Sequence, residues 1–237
     1  MDNTRRIKTF IAVMMLAATS TTGYAAFVNH GLHLYFAAAL LLLAAVTSRM
    51  KVKLPGIDGN MSMNLPFLLI AVVNLSSAEA VLITCTSTLV QCWPQKSAKF
   101  KPQQMTFNVC MMAFATCLAS LIFHAGWVRA MQSNSAALTV TLFLGQTTPV
   151  AAIIALSESK AAGPIWWHLA HLSFPYYVVS AGVGAMVHAV SSHVGWQLAL
   201  AVFPVMYGVY RSYRLYFGKL AETAPTDILV RWAKAGA

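Results

Sequence analysis

The sequence predicts an all-α protein: a polytopic bundle of about eight transmembrane helices, at 7–28, 32–47, 62–75, 77–92, 105–128, 135–156, 165–190 and 196–217. Composition is the first observation behind this. Of 237 residues, 58% are hydrophobic and only 9% are charged, against about 25% charged in a soluble domain. Pattern is the second, because apolar runs near the length of about 20 residues needed to cross a bilayer recur between short polar breaks. Charge placement is the third. With eight spans, Arg5, Arg6, Lys8, Arg49, Lys51, Lys53, Lys96, Lys99, Lys101, Lys160, Arg211, Arg214, Lys219, Arg231 and Lys234 fall on one side, and only Arg129 on the other. Positive charge resists translocation, so both termini are expected in the cytoplasm.

The first run follows Arg5, Arg6 and Lys8, with the small residues Ala17-Ala18-Thr19 inside it. It continues through Tyr24 to Val28, too long for a signal-peptide core, and reads as an uncleaved anchor. Between the second and third runs lies Arg49 to Asn60, a basic loop containing Pro55, Gly56 and Gly59. The stretch 61–93 is the least regular, because Asn74-Leu-Ser-Ser77 breaks it into two short halves. It reads either as two thin spans joined by a tight turn or as half-helices meeting inside the membrane. Pro66 suits a first helical turn. Ser76 and Ser77 followed by Glu79 suit a cap with an acidic first turn. Pro149 predicts a kink in the sixth helix. Residues 1–220 thus form one transmembrane domain and 221–237 a short cytoplasmic tail. Trp93, Trp127, Trp166, Trp167, Trp196 and Tyr213 near helix ends fit an interfacial aromatic belt.

The net charge of +10 sits in clusters between apolar runs, so it reads as membrane orientation and not as a nucleic-acid surface. Cys85, Cys92, Cys110 and Cys117 lie within apolar segments with no CxxC, which argues against a disulfide framework. Antiparallel packing of the fourth and fifth helices would bring Cys85 toward Cys117 and Cys92 toward Cys110. Both pairs read more simply as small residues at a helix contact.

The polar side chains within or beside the spans are the candidates for binding a small ligand: Asn64, Asn74, Glu79, Gln91, Asn108 and Gln146. Glu79 also reads as a helix-start charge. His30, His33, His188 and His193, with His124, fall at outer helix ends and are weak candidates for a metal or haem site. None of these pairs is spaced i, i+4 and no acid accompanies them, so the plainer reading is a set of interfacial polar tips. His168 and His171 share one face of the seventh helix and read as packing groups. No P-loop, GxSxG, HExxH or zinc spacing occurs, so neither an enzyme nor a cofactor is expected.

Several short patterns carry a resemblance. They are Lys51-Val-Lys-Leu-Pro-Gly, Met61-Ser-Met-Asn-Leu-Pro-Phe, Ala78-Glu79-Ala80, Leu89-Val90-Gln91, Phe107-Asn108-Val109, Ser173-Phe-Pro-Tyr-Tyr177 and Tyr210-Arg-Ser-Tyr-Arg-Leu-Tyr216. With them the chain resembles the multi-pass N-terminal membrane region of bacterial signalling proteins that carry a C-terminal HD-GYP or GGDEF output domain. The resemblance implies a sensor module in the bacterial inner membrane, pairing as a homodimer and acting on a cytoplasmic signalling protein. After Leu220 the chain reads Ala-Glu-Thr-Ala-Pro225 and ends at Ala237, so no catalytic activity carries over. The expectation is a sensor or interaction module that signals in trans. The alternative is a small-solute transporter or substrate-binding membrane subunit. It rests on the broken 61–93 stretch, the Pro149 kink and a faint echo between 65–83 and 138–156.

Overall fold

The computed structural model describes residues 3–28, 33–53, 60–94, 101–125, 134–194 and 198–223, without the side chains of 28, 134–135, 191–194, 198–199 and 220–223. The protein is an all-α bundle. Among the described residues, eight helices run α1 Asn3–Val28, α2 Leu34–Ser48, α3 Leu65–Asn74, α4 Ser77–Cys92, α5 Pro102–His124, α6 Asn134–Glu158, α7 Ala162–Val194 and α8 Leu198–Thr223. All eight expected helices are present, with ends displaced by up to six residues. The expected tail lies outside the described residues from 224 onward.

The basic loop expected between α2 and α3 carries a small sheet. Strands β1 Lys51–Lys53 and β2 Asn60–Ser62 pair antiparallel, with Lys51 opposite Ser62, Val52 opposite Met61 and Lys53 opposite Asn60. Val52 is buried and Lys53 is exposed, the alternation a half-buried strand requires.

Helix α3 occupies the centre. Leu65 through Val72 are all buried, as expected of a helix that is apolar all round. It touches α2, α4, α5 and α7. Ten residues make only about 15 Å of helix, so α3 covers part of the bundle's length and β2 with the turn after it covers the rest. Helices α3 and α4 are joined by a tight turn at Leu75-Ser76, as the first of the two readings of 61–93 has it, with α3 starting at Leu65. Helix α4, at 16 residues, runs the longer course beside it.

The start of α4 is built by a capping box. Ser76 Oγ accepts from Glu79 N (3.3 Å), and Glu79 Oε2 accepts from Ser76 N (3.0 Å) and Ser76 Oγ (2.7 Å). The other oxygen, Oε1, accepts from His33 N at 2.8 Å and ties the start of α2 to the start of α4. Ser77 bonds Ser120 near the end of α5, and Asn74 meets His188 near the end of α7. These contacts define one end of the bundle.

At the other end Asn3 Nδ2 donates to Ser159 Oγ (3.0 Å), Arg49 Nη1 to the Trp93 carbonyl (3.3 Å) and Asn108 Nδ2 to Cys92 Sγ (3.4 Å). The start of α1, the ends of α2, α4 and α6 and the start of α5 therefore gather here. With them come Arg5, Arg6, Lys8, Arg49, Lys51, Lys53, Lys101 and Lys160, which makes this the basic end.

Among the described residues, three helices are long and apolar enough to cross a membrane: Asn3–Phe27, Pro102–His124 and Ala136–Glu158. Leu34–Ser48 and Leu65–Asn74 are apolar but shorter.

Helices α5 and α6 meet closely at Gly145, where an added Cβ would come 2.9 Å from Ala115 Cβ. Ala115 is fully buried and has no rotamer to yield. A helical Gly→Ala change ordinarily gains about 1 kcal/mol. Overpacking costs about 1–3 kcal/mol, so the sign reverses here. Gly145→Ala is expected to lower the unfolding free energy of the purified protein. Gly208→Ala on α8, where nothing lies within 4 Å, is expected to raise it, by about 0.5–1 kcal/mol. Thermal unfolding of the two variants side by side checks both signs.

Candidate functional site

One cavity of about 570 Å³ opens within the basic half of the bundle, a volume within the range of roughly 300–1,000 Å³ typical of small-molecule sites. Its walls come from α1, β2, α3, α4, α5, α6 and α7. Lys101, Gln103, Gln104, Asn60 and Ser157 sit toward the basic end. Following α5, α6 and α7 inward leads to Met111, Met112, Gln146, Ser173, Tyr176 and Tyr177, half-way along the bundle. Beyond that depth the same helices pack solid through Leu69, Ile70, Val72, Ala115, Ala119, Leu138 and Leu142.

Four of the six expected ligand-binding residues come together here: Asn64, Gln91, Asn108 and Gln146 all line the cavity. Asn74 and Glu79 do not. Glu79 is held in the capping box at the opposite end. Asn74 Nδ2 donates to the Ile70 carbonyl and closes α3 from within. Asn60, Gln103 and Gln104 add three more carboxamides to the lining. The sequence reading placed these three in loops and missed them. It also passed over Ser173, Tyr176 and Tyr177 as site residues, although their i, i+3, i+4 spacing marks one polar face of an apolar helix.

The inner wall is rigid because its polar groups are paired. Asn64 Oδ1 accepts from Ser62 Oγ (2.9 Å), and its Nδ2 donates to Ser87 Oγ (3.3 Å). Ser87 in turn donates to the Thr84 carbonyl (3.0 Å), and Thr116 Oγ1 donates to Thr84 Oγ1 (3.2 Å). Tyr176 is fully buried, and its hydroxyl accepts from Leu65 N at 3.2 Å. Tyr177 packs edge-on against Phe143, ring centroids 5.0 Å apart, and donates to Gln146 Oε1. The Gln146 Nε2 is buried with no acceptor among the described residues.

The metal candidates do not gather. Among the described residues no three His, Cys, Asp or Glu side chains come together in a metal-binding group. His30 lies outside the described residues, as does the side chain of His193. His33 uses its backbone N–H on Glu79, and His188 meets Asn74. The four cysteines are free thiols. Cys85, Cys110 and Cys117 share a small apolar contact with Ala18, Ala25, Val81 and Ala113, while Cys92 faces Asn108. Cys85 thus lies near Cys117, as antiparallel packing of α4 and α5 implies, while Cys92 meets Asn108 and not Cys110.

Tyr176→Phe is expected to lower stability by about 1–3 kcal/mol, the cost of a buried N–H left without an acceptor, and to loosen the cavity wall at Leu65. Hydrogen exchange at Leu65 to Leu68, measured against wild type, reads this locally: protection should fall there and hold at Ala80 to Thr84.

No family model, curated protein or solved structure matches this chain.

Proposed function

We propose that this chain is a membrane-embedded binding module that takes a small polar ligand from its basic, cytoplasmic side and relays occupancy to a cytoplasmic partner. The cavity carries this reading: an apolar-lined space with carboxamides and hydroxyls set into its walls, meeting four of the residues expected to bind. Its described lining contains no acid, histidine or cysteine, a set suited to recognition more than to proton or nucleophile chemistry.

Membrane embedding has its own support. Phe27 is 84% exposed, Leu42 65% and Phe174 57%. Apolar surface of this extent around α1, α2 and α7 calls for lipid. The charge asymmetry supports an orientation with the basic end in the cytoplasm. The resemblance to bacterial sensor regions is the basis for reading the output as a signal passed to a partner, with the module paired as a homodimer.

Two measurements test this. Fusing a reporter active only in the cytoplasm after Ala237 should give signal, and a fusion after Arg129 should give none. The opposite pattern removes the orientation. Native mass spectrometry from mild detergent should find a small molecule on the wild-type protein that Asn108→Ala and Gln146→Ala lose. Identical occupancy in both variants removes the binding site.

One observation favours transport as a second reading. The segment 60–64 precedes α3 without helical structure, and Asn60, Met61, Ser62 and Asn64 line the cavity, an interruption of the kind transporters place at their binding sites. If the molecule found on the wild type accumulates in proteoliposomes, the module transports. If it binds without accumulating, it senses.

A further inference from the structure

The charge on the cavity walls decides which solutes it can hold. Lys101, at the mouth, is the single charged residue among the described lining. The two acids whose side chains are described are engaged elsewhere. Glu79 is bonded at the opposite end of the bundle, and Glu158 pairs with Lys160 at 3.0 Å. Side-chain oxygens that would hold a cation at the inner end are also taken, Asn64 Oδ1 by Ser62 and Gln146 Oε1 by Tyr177. A cation would enter a largely apolar space with no counter-charge in its described lining, a costly transfer. An anion would meet a lysine on entry. Around the mouth, the basic end concentrates anions from solution.

We infer that the cavity is selective for organic anions, with Lys101 as the charge that admits them. This rests on the cavity being a binding site open to the basic side. It is separable from that reading, because a receptor for neutral or cationic ligands would have the same opening and the opposite or no charge preference.

The test uses two thiol reagents of similar size and opposite charge, 2-sulfonatoethyl and 2-(trimethylammonio)ethyl methanethiosulfonate. They are applied to the basic side of the full chain carrying Asn108→Cys or, nearer the mouth, Gln104→Cys. Modified peptides are quantified by mass spectrometry, so the native cysteines stay in place. Each rate is divided by that reagent's rate with 2-mercaptoethanol, which removes intrinsic reactivity.

The expected result is a normalised preference for the anionic reagent of about tenfold at Asn108→Cys. Adding Lys101→Gln should reduce it several-fold, and Lys101→Glu should invert it. Equal normalised rates, a preference for the cation, or a ratio indifferent to Lys101→Gln would overturn the inference while leaving an open cavity. Absence of labelling by either reagent at both positions would overturn the opening itself, and the inference with it.

Discussion

Everything in this bundle is arranged around the backbone of α3. A ten-residue helix buried on all sides cannot hand its terminal N–H and C=O groups to water, and in apolar surroundings each unpaired group is costly. The chain meets this demand residue by residue at the start of the helix. The Leu65 N–H goes to Tyr176, Pro66 has no N–H to satisfy, and the Phe67 and Leu68 N–H groups fold back to the Asn64 carbonyl. At the other end Asn74 Nδ2 donates to Ile70, and the Leu75 N–H to Ala71. Tyr176 is thus both the acceptor that permits α3 to begin inside the protein and a wall of the cavity. The same fact closes the start of α3 as an anion site, since it has no free donor left to give.

The α4–α5 contact solves a related problem with hydroxyls. Ser77, Thr84, Ser87 and Thr88 lie on the buried side of α4, and Ser120 and Thr116 answer from α5. In apolar surroundings such bonds contribute modestly, about 0.6 kcal/mol each on average. Their larger effect is on register: a hydroxyl pair is satisfied in one alignment only, and here that alignment sets Asn108 opposite Cys92. The same alignment turns Asn64 and Asn108 toward the cavity. Small side chains do the complementary work. Gly145 against Ala115 lets α5 and α6 close above the cavity, so the carboxamide of Gln146 is left at the edge of the packed half.

Helix number, order and polarity were legible in the sequence, because hydrophobic length and charge asymmetry are properties of the chain itself. The boundaries of α4 were legible for a local reason too, since Ser76 and Glu79 form a capping box whose spacing can be read directly. The β-hairpin was not. Its strands are three residues each, too short for a period-2 pattern to show, and Pro55, Gly56 and Gly59 speak only for a turn. The short α3 was half legible: Asn74 and Ser76 marked its end, but its start depends on Tyr176, more than a hundred residues away. The site divides the same way. Asn64, Gln91, Asn108 and Gln146 stand out as polar groups in apolar runs, and the bundle brings them together. Glu79 stood out equally and went to the opposite end, because a helix-start acid answers first to its own backbone. Gln103 and Gln104 were hidden by their place beside a basic loop, and Tyr176 and Tyr177 by being aromatic.

The cavity follows from what replaces a helix. An α-helix with its side chains fills a cylinder of about 10–12 Å diameter. In one half of the bundle α3 fills that cylinder, and Leu69, Ile70 and Val72 pack against α4, α5 and α7. In the basic half the centre is held by the thin track from β2 through Asn64, and the surrounding helices do not converge to take up the difference. Space at the basic end is therefore a product of where α3 starts, and α3 starts where Asn64, Leu65 and Tyr176 allow it. The residues that begin the central helix, Asn64, Leu65 and Tyr176, are also ones that line the cavity, so a change in one is a change in the other.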